Sequence, residues 1–160
     1  MAKKTIPITL HLSELLYDVY NKTHLTSKSR ADGDNFAQVA YMQANEDDEN
    51  KNQILRSITN AFAEIKRLVG EYLYEGCVTA DNVLLNDDPI ELYLLVPDNF
   101  NSSAKDNIAS AMHQYIVNTA IAEWFTITNK DDANEYTVAA TDNAANIKES
   151  LYQRERPKRP

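Results

Sequence analysis

The chain has 160 residues, of which 43% are hydrophobic and 25% charged. This composition is typical of one globular domain, large enough to bury about 70% of its unfolded surface. The single cysteine, Cys77, excludes an internal disulfide and a thiolate zinc cluster, and it favours a reducing compartment. The net charge of −8 disfavours broad binding to nucleic-acid phosphates. No stretch approaches the roughly 20 apolar residues of a membrane span, so we predict a cytoplasmic protein without membrane contact.

The first predicted element is a short strand over residues 6–12, in which apolar and polar side chains alternate. Pro7 has no backbone N–H to donate, so we expect it at a sheet edge or at the start of the strand. Ser13 fits a helix N-cap. Apolar residues at helical spacing from Leu15 onward predict a helix that fades near residues 27–31.

A turn at residues 32–35 precedes residues 36–44, whose apolar spacing has no clear period. We interpret residues 36–44 as an ordered loop, with one helical turn as the alternative. The acidic run at residues 46–49 lacks the D-x-D-x-D-G order of a calcium loop, and it favours a helix start, where carboxylates meet the positive end of the dipole. A long amphipathic helix follows, weakened near its end by Gly70 and ended by Gly76.

Residues 78–85 and 90–96 predict two strands, and the four-residue turn between them makes a β-hairpin the simplest pairing. The second strand is apolar on both faces, so we expect it to be central or covered on both sides. Cys77, which precedes the first strand, is predicted to be a half-buried structural residue rather than a nucleophile.

Residues 103–126 predict a helix that is apolar nearly all round, as is typical of the central helix of a domain. Asn129 then fits the N-cap of the last helix, with Asp132 placed to reach back to the cap. A stripe of small residues on the last helix favours close packing against the preceding helix. The predicted core residues of these long helices are Phe62, Ile65, Trp124, Phe125 and Tyr136.

Together, the elements predict an α+β fold that is mainly helical, with about four helices packed with a β-hairpin and a short N-terminal strand. No internal repeat or linker divides the chain. We assign residues 1–153 to a single globular domain. Residues 154–160, in which prolines break the last helix, are assigned to a flexible basic tail.

The sequence has no recognisable catalytic site. Three glycines are too few for a glycine-rich phosphate cradle, and His11, His24 and His113 stand outside any metal-ligand motif. Nothing singles out a pair of carboxylates as acid and base. We therefore predict a non-enzymatic protein, with no catalytic, cofactor-binding or metal-binding residues and no cofactor.

Two features favour contact with other macromolecules. One is the set of nine tyrosines, because tyrosine is enriched at protein interfaces, although it also lines domain cores. The other is the tail, whose basic residues are Arg154, Arg156, Lys158 and Arg159. The tail is open to three interpretations: solvated charge, docking on an acidic neighbour such as a second subunit, or binding to nucleic acid. Head-to-tail self-association through opposite charges would weaken with salt.

The C-terminal third carries a resemblance. The run W-F-T-I-T-N-K at residues 124–130 fits an aromatic "W-[YF]-x-x-T-N-K" helix junction, and the chain closes on the basic, proline-containing R-x-R-P-x-R-P of residues 154–160. In both features it resembles small uncharacterised proteins encoded in prophages and mobile elements of gut Bacteroides-type bacteria. The start at Lys4 and the acidic helix opening near Asp47 also fit.

The resemblance implies a phage or prophage structural protein of the head–tail connector, adaptor or tail-completion type. Such a protein acts through protein partners, including copies of itself in a homo-oligomer or ring, in a bacterial host cytoplasm or a virion. The alternative is a nucleic-acid-associated accessory factor of a mobile element that uses the basic tail. A small hydrolase with carboxylate chemistry is the third hypothesis.

Overall fold

The computed structural model describes residues 2–74 and 80–159. In chain order its elements are β1 (Lys3–Leu10), α1 (Leu12–Ser29), α2 (Phe36–Met42), α3 (Asp48–Leu68), β2 (Ile90–Pro97), a 3-10 turn (Ser102–Ala104), α4 (Lys105–Thr128) and α5 (Lys130–Leu151). The predicted α+β, mainly helical fold is confirmed. The described residues contain five helices rather than about four, because α2 occupies the segment interpreted as a loop.

Helix α2 escaped the sequence analysis because it has almost no buried face. Only Val39 of its seven residues is buried, so the segment lacks the apolar stripe that identifies a helix. Contacts from distant residues hold it in place. The indole N–H of Trp124 donates to the Met42 carbonyl at 2.7 Å, and the Ala44 N–H donates to Thr23 Oγ1 at 3.2 Å.

The sheet of the described chain consists of β1 and β2, which are antiparallel. The register places Lys3 opposite Pro97 and Leu10 opposite Ile90. The predicted hairpin is therefore wrong, because β2 pairs with the start of the chain and not with the segment just before it. Residues 78–79 of the predicted first strand lie outside the described residues.

The rest of that predicted strand is bound by α3. Residues 80–89 form no strand. Arg56 donates to the Asn82 carbonyl at 2.6 Å, and the Leu85 N–H donates to Thr59 Oγ1 at 3.1 Å. Side chains of a helix thus take up backbone groups that a hairpin ladder would have used.

Strand β2 was predicted to be central or covered on both sides, and both alternatives are wrong, because the described sheet has two strands and β2 is buried on one face. Beyond β1, its other edge meets residues 72–74, where the Tyr74 N–H donates to the Tyr93 carbonyl at 3.0 Å and Leu73 bridges to Leu94. The sheet buries one face only, since Tyr93 on the other face is exposed.

The outer edge of β1 has no strand partner within the described chain. The Ala2 carbonyl accepts from the Asp98 N–H, so the alternation of the ladder turns the backbone groups of Thr5, Pro7 and Thr9 outward. The predicted edge position of Pro7 is confirmed. At the middle of this edge the ladder lacks a donor, because proline has no N–H.

The first helix begins at Leu12, one residue before the predicted N-cap. Ser13 is therefore not the cap. Its N–H and that of Leu12 both donate to the carboxylate of Asp88, at 3.2 and 3.1 Å. A carboxylate from the loop before β2 thus satisfies N–H groups that lack partners at the start of a helix.

Helix α3 begins at Asp48, within the acidic run, as predicted. It ends at Leu68, before Gly70 and earlier than expected, because residues 72–74 leave the helix to meet β2. Gly76, the predicted terminator, and Cys77 lie outside the described residues.

Helix α4 is the centre of the core, as predicted, and it contacts α1, α3, α5 and β1. Its closest partner is α5, which packs its small-residue stripe there. The predicted core residues Phe62, Ile65, Trp124 and Phe125 are buried. Tyr136 is half-buried, and its ring meets Phe125 edge to face with 5.4 Å between the centroids.

Candidate interaction surface

The junction between α4 and α5 is fixed by a buried carboxylate. Asn129 precedes α5, but its side chain does not cap the helix. Instead, Asn129 Nδ2 donates to Asp132 Oδ2 at 2.5 Å. Arg30, from the end of α1, donates from Nε to Oδ2 at 3.0 Å and from Nη2 to Oδ1. The Asp132 side chain is 2% exposed and that of Arg30 is 53% exposed.

This arrangement makes Asp132 a structural group. The hydrogen bond from Arg30 lowers the pKa of Asp132, and the bond from Asn129 adds to that effect, while burial acts in the opposite direction. Both carboxylate oxygens are occupied, so Asp132 clamps the start of α5 to the end of α1. The backbone of residues 128–131 is held in place beside α2.

A groove of about 490 Å³ runs between α2 and this junction. We call it the α2 groove; its lining is Ala37, Gln38, Tyr41, Met42 and residues 128–131. A second hollow of about 290 Å³ continues from it towards Asn45 and Asn50 at the start of α3, and it shares Tyr41 and Thr128 with the first. The two hollows form one open furrow along α2.

The segments that build this furrow expose three large apolar side chains to solvent. Phe36, the first residue of α2, is 72% exposed, and Tyr41 is 66% exposed. Ile127, at the end of α4, lines the second hollow and is 59% exposed. Tyr41 and Ile127 lie in the same hollow, and exposed apolar groups that lie together are typical of a protein-binding surface.

The segments that build the furrow are acidic. Residues 30–51 and 128–135 contain nine acidic and three basic side chains, a net charge of −6. One acidic residue, Asp132, is neutralised by Arg30. Lys130 lies in the α2 groove itself beside Asp131. The lining of the α2 groove thus carries one cation and one anion, and the excess negative charge belongs to the flanking parts of the two chain segments that build the furrow.

The first residues of the predicted tail are attached to the body. Arg154 bridges to Phe100, and the Glu155 N–H donates to the Asn99 carbonyl at 2.8 Å. Arg154 Nη1 also donates to the Leu151 carbonyl at 2.8 Å, so its guanidinium binds the carbonyl end of α5. Arg154 is engaged within its own chain, which the sequence did not indicate.

The remaining basic residues of the tail, Arg156, Lys158 and Arg159, are exposed. They follow the last backbone hydrogen bond of the described chain to the body, at Glu155. The flexibility of this part stays a prediction, and its three cations are free to meet a partner.

The predicted tyrosines divide into two groups. Tyr20, Tyr72, Tyr115 and Tyr136 are half-buried, and Tyr17, Tyr41, Tyr74, Tyr93 and Tyr152 are exposed. Among the exposed ones, Tyr41 lines both hollows of the furrow.

The histidines show no assembled catalytic group. His113 Nε2 lies 2.6 Å from Asp18 Oδ2, a pair that links α4 to α1. His11 lies 3.6 Å from Asp88, which caps α1, and His24 is exposed. Over the described ranges, His, Cys, Asp and Glu nowhere form a group of three that could hold a metal ion. No helix described for this chain has the length and hydrophobicity to cross a membrane.

Comparison of the chain with models of known families, with curated proteins and with solved structures finds no match.

Proposed function

We propose that this protein is a non-enzymatic assembly protein of a phage or prophage structural module, of the connector, adaptor or tail-completion type, which acts through protein–protein contacts. The observation that carries the proposal is the open furrow along α2, which Tyr41 lines in both hollows and Ile127 lines in the second, while Phe36 is exposed at the start of the same helix. Folding buries none of these three side chains, whereas binding to another protein would bury all of them.

The chemistry of the furrow suits a protein surface better than a small substrate. Its one titratable pair, Lys130 and Asp131, lies at the open end of the α2 groove, where both residues are exposed. Tyr41 offers an aromatic ring with a polar tip, a side-chain type enriched in interface hot spots. Met42 adds a flexible apolar side chain that adapts to a partner.

The resemblance in the C-terminal third supports the same proposal, because its motif lies at this surface. Trp124 is the residue that ties α2 to α4 through the Met42 carbonyl. Thr128, Asn129 and Lys130 line the α2 groove. The "W-[YF]-x-x-T-N-K" pattern therefore coincides with the residues that build the furrow and support it.

The test uses the particle. In a host whose mobile element carries this gene, we expect purified particles to contain the protein and deletion of the gene to give incomplete particles in electron micrographs. Complementation with Tyr41→Ala should fail, and complementation with Tyr17→Ala should succeed, because Tyr17 is equally exposed, at 67%, but lies on α1. Complete, infectious particles without the gene would refute the proposal.

The same purified protein separates this proposal from the nucleic-acid alternative. We expect no DNA shift in gel electrophoresis at physiological salt, because the body is acidic. Tight DNA binding that is lost when residues 156–160 are removed, and that weakens steeply with salt, would favour the accessory-factor alternative.

A further inference from the structure

Resting on the assembly role proposed above, we propose that the basic tail of one copy, residues 156–160, binds in the α2 groove of a second copy and so joins the chains head to tail. Three observations carry this proposal: the distance between tail and groove within one chain, the chemistry of the tail, and the charge of the furrow.

Residues 156–160 cannot reach the groove of their own chain. Arg154 is fixed to the Leu151 carbonyl at the end of α5, whereas Lys130 and Asp131 of the groove form the first turn of α5. The 22 residues of α5 separate these ends by about 33 Å. Five fully extended residues, 156–160, span at most about 18 Å. A groove within reach of the tail therefore belongs to another molecule.

The tail has the chemistry that an aromatic groove recognises. Its sequence is R-P-K-R-P, in which Pro157 and Pro160 have P-x-x-P spacing. Segments of this kind favour the extended polyproline II conformation, and they bind in furrows lined by aromatic side chains at a low entropic cost. Tyr41 is the aromatic side chain that lines the α2 groove, and Trp124 joins it in the lining of the second hollow.

The charges are complementary. Arg156, Lys158 and Arg159 contribute three positive charges beyond the last attached residue. The two segments that build the furrow carry a net charge of −6. Within the α2 groove Lys130 and Asp131 balance each other. The excess negative charge comes from the acidic run at residues 46–49, which lies in the chain between Asn45 and Asn50 of the adjoining second hollow.

The contact would use two different surfaces of each chain, the tail of one and the groove of the next. Such a heterologous contact leaves one groove and one tail unused in any pair, so copies add until the chain of contacts closes into a ring or grows as a filament.

The first experiment uses a fluorescent peptide of residues 152–160 and the chain ended after Glu155, which keeps the contacts of Arg154. Fluorescence anisotropy should show saturable binding at low salt, largely lost at about 1 M salt, where the screening length is about 3 Å. Tyr41→Lys in the groove should weaken binding by about tenfold or more, and Tyr17→Lys on α1 should leave it unchanged. No saturable binding, or equal weakening by both substitutions, would overturn the proposal.

The second experiment uses complementary defects. A chain that ends after Glu155 keeps its groove, and the full chain with Tyr41→Lys keeps its tail. In light scattering coupled to gel filtration, each should be a monomer under conditions in which the unmodified protein self-associates. The mixture should give a species of one copy of each, and this species should disappear when the tail carries Arg156→Glu, Lys158→Glu and Arg159→Glu.

The outcomes separate this inference from the assembly role. If the chain ended after Glu155 still self-associates, or the mixture gives no pair, the tail–groove contact is wrong, while the particle experiment still decides the assembly role. If a peptide–groove contact is found but particles lacking the protein are complete, the contact stands and the phage role falls. Circular dichroism of every variant confirms that it is folded.

Discussion

Helices α2 and α4 lie in contact, but α4 buries Trp124 and Phe125 whereas α2 exposes its aromatic residues. Phe125 of α4 is fully buried, and Trp124 beside it is 7% exposed. Phe36 and Tyr41 of α2 are among the most exposed apolar residues of the described chain. The core is therefore packed without the rings of α2, and these rings are available for another molecule.

The largest loss of stability is expected for Phe125→Ala, which removes a buried ring of α4. Phe125 packs against Tyr136 in the centre of the core. Removing its ring should lower the free energy of unfolding by about 3–5 kcal/mol, because a cavity remains. Urea unfolding followed by circular dichroism measures the loss. A loss near that of a surface substitution would mean that α4 is not the core helix.

The clamp beneath the groove should have the next largest effect, and it should depend on pH. The pKa of Asp132 is lowered in the folded protein by the hydrogen bond from Arg30. Its stabilisation is therefore fully present above the unfolded pKa of about 3.9 and is lost as the pH falls through the lower folded pKa. The unmodified protein should lose stability more steeply below about pH 4 than Asp132→Asn does.

The control for this experiment is Asp131→Asn, the exposed neighbour on the same turn of α5. Its stability curve should follow that of the unmodified protein from neutral to acidic pH. If Asp131→Asn and Asp132→Asn respond alike, the clamp between α1 and α5 is not what sets the pH dependence.

The hydrogen bond that joins α4 to α2 should contribute less to the free energy of unfolding. Trp124→Phe keeps an aromatic ring in the core but removes the N–H that binds the Met42 carbonyl. We expect a loss of about 1 kcal/mol. Hydrogen exchange should become faster in α2 while α4 stays protected. Unchanged exchange in α2 would show that other contacts hold this helix.

The smallest effect on stability is expected for Tyr41→Ala. Tyr41 is largely exposed, so the free energy of unfolding should change by no more than about 0.5 kcal/mol. Tyr17→Ala, a substitution at equal exposure on α1, should be as mild. If Tyr41→Ala lowered the free energy of unfolding as much as Phe125→Ala does, α2 would belong to the core.

The sequence predicted the parts of the fold that depend on local pattern. The nearly continuous apolar surface of residues 103–126 indicated a central helix, and α4, Lys105–Thr128, is one. The acidic run at residues 46–49 indicated the start of α3. Pro7 indicated an edge, because the absence of its N–H is a property of one residue and needs no partner to be recognised.

Features that depend on distant residues were not predicted. Nothing near β2 shows that its partner lies at the start of the chain, so the shorter connection of a hairpin was preferred. The carboxylate of Asp88 replaces Ser13 as the cap of α1 from 75 residues away.

The candidate surface also depends on residues that are distant in the sequence, and only part of it was predicted. Its tail was identified from the sequence because charge and proline are visible in a run of letters. The groove was not identified, because it forms only when residues 37–42 meet residues 128–131. Arg154 was assigned to the tail with its basic neighbours, and only the fold shows that it binds the end of α5.

The interrupted edge of β1 has a consequence for the assembly role proposed above. A particle holds identical subunits at very high local concentration, the condition under which exposed strands stack into cross-β fibres. Because Pro7 lies at the midpoint of that edge and has no backbone N–H, a strand of a neighbouring copy could not form a continuous ladder of hydrogen bonds there. Pairing of copies through this strand edge is thereby disfavoured, which leaves side-chain surfaces for the contacts of the proposed assembly.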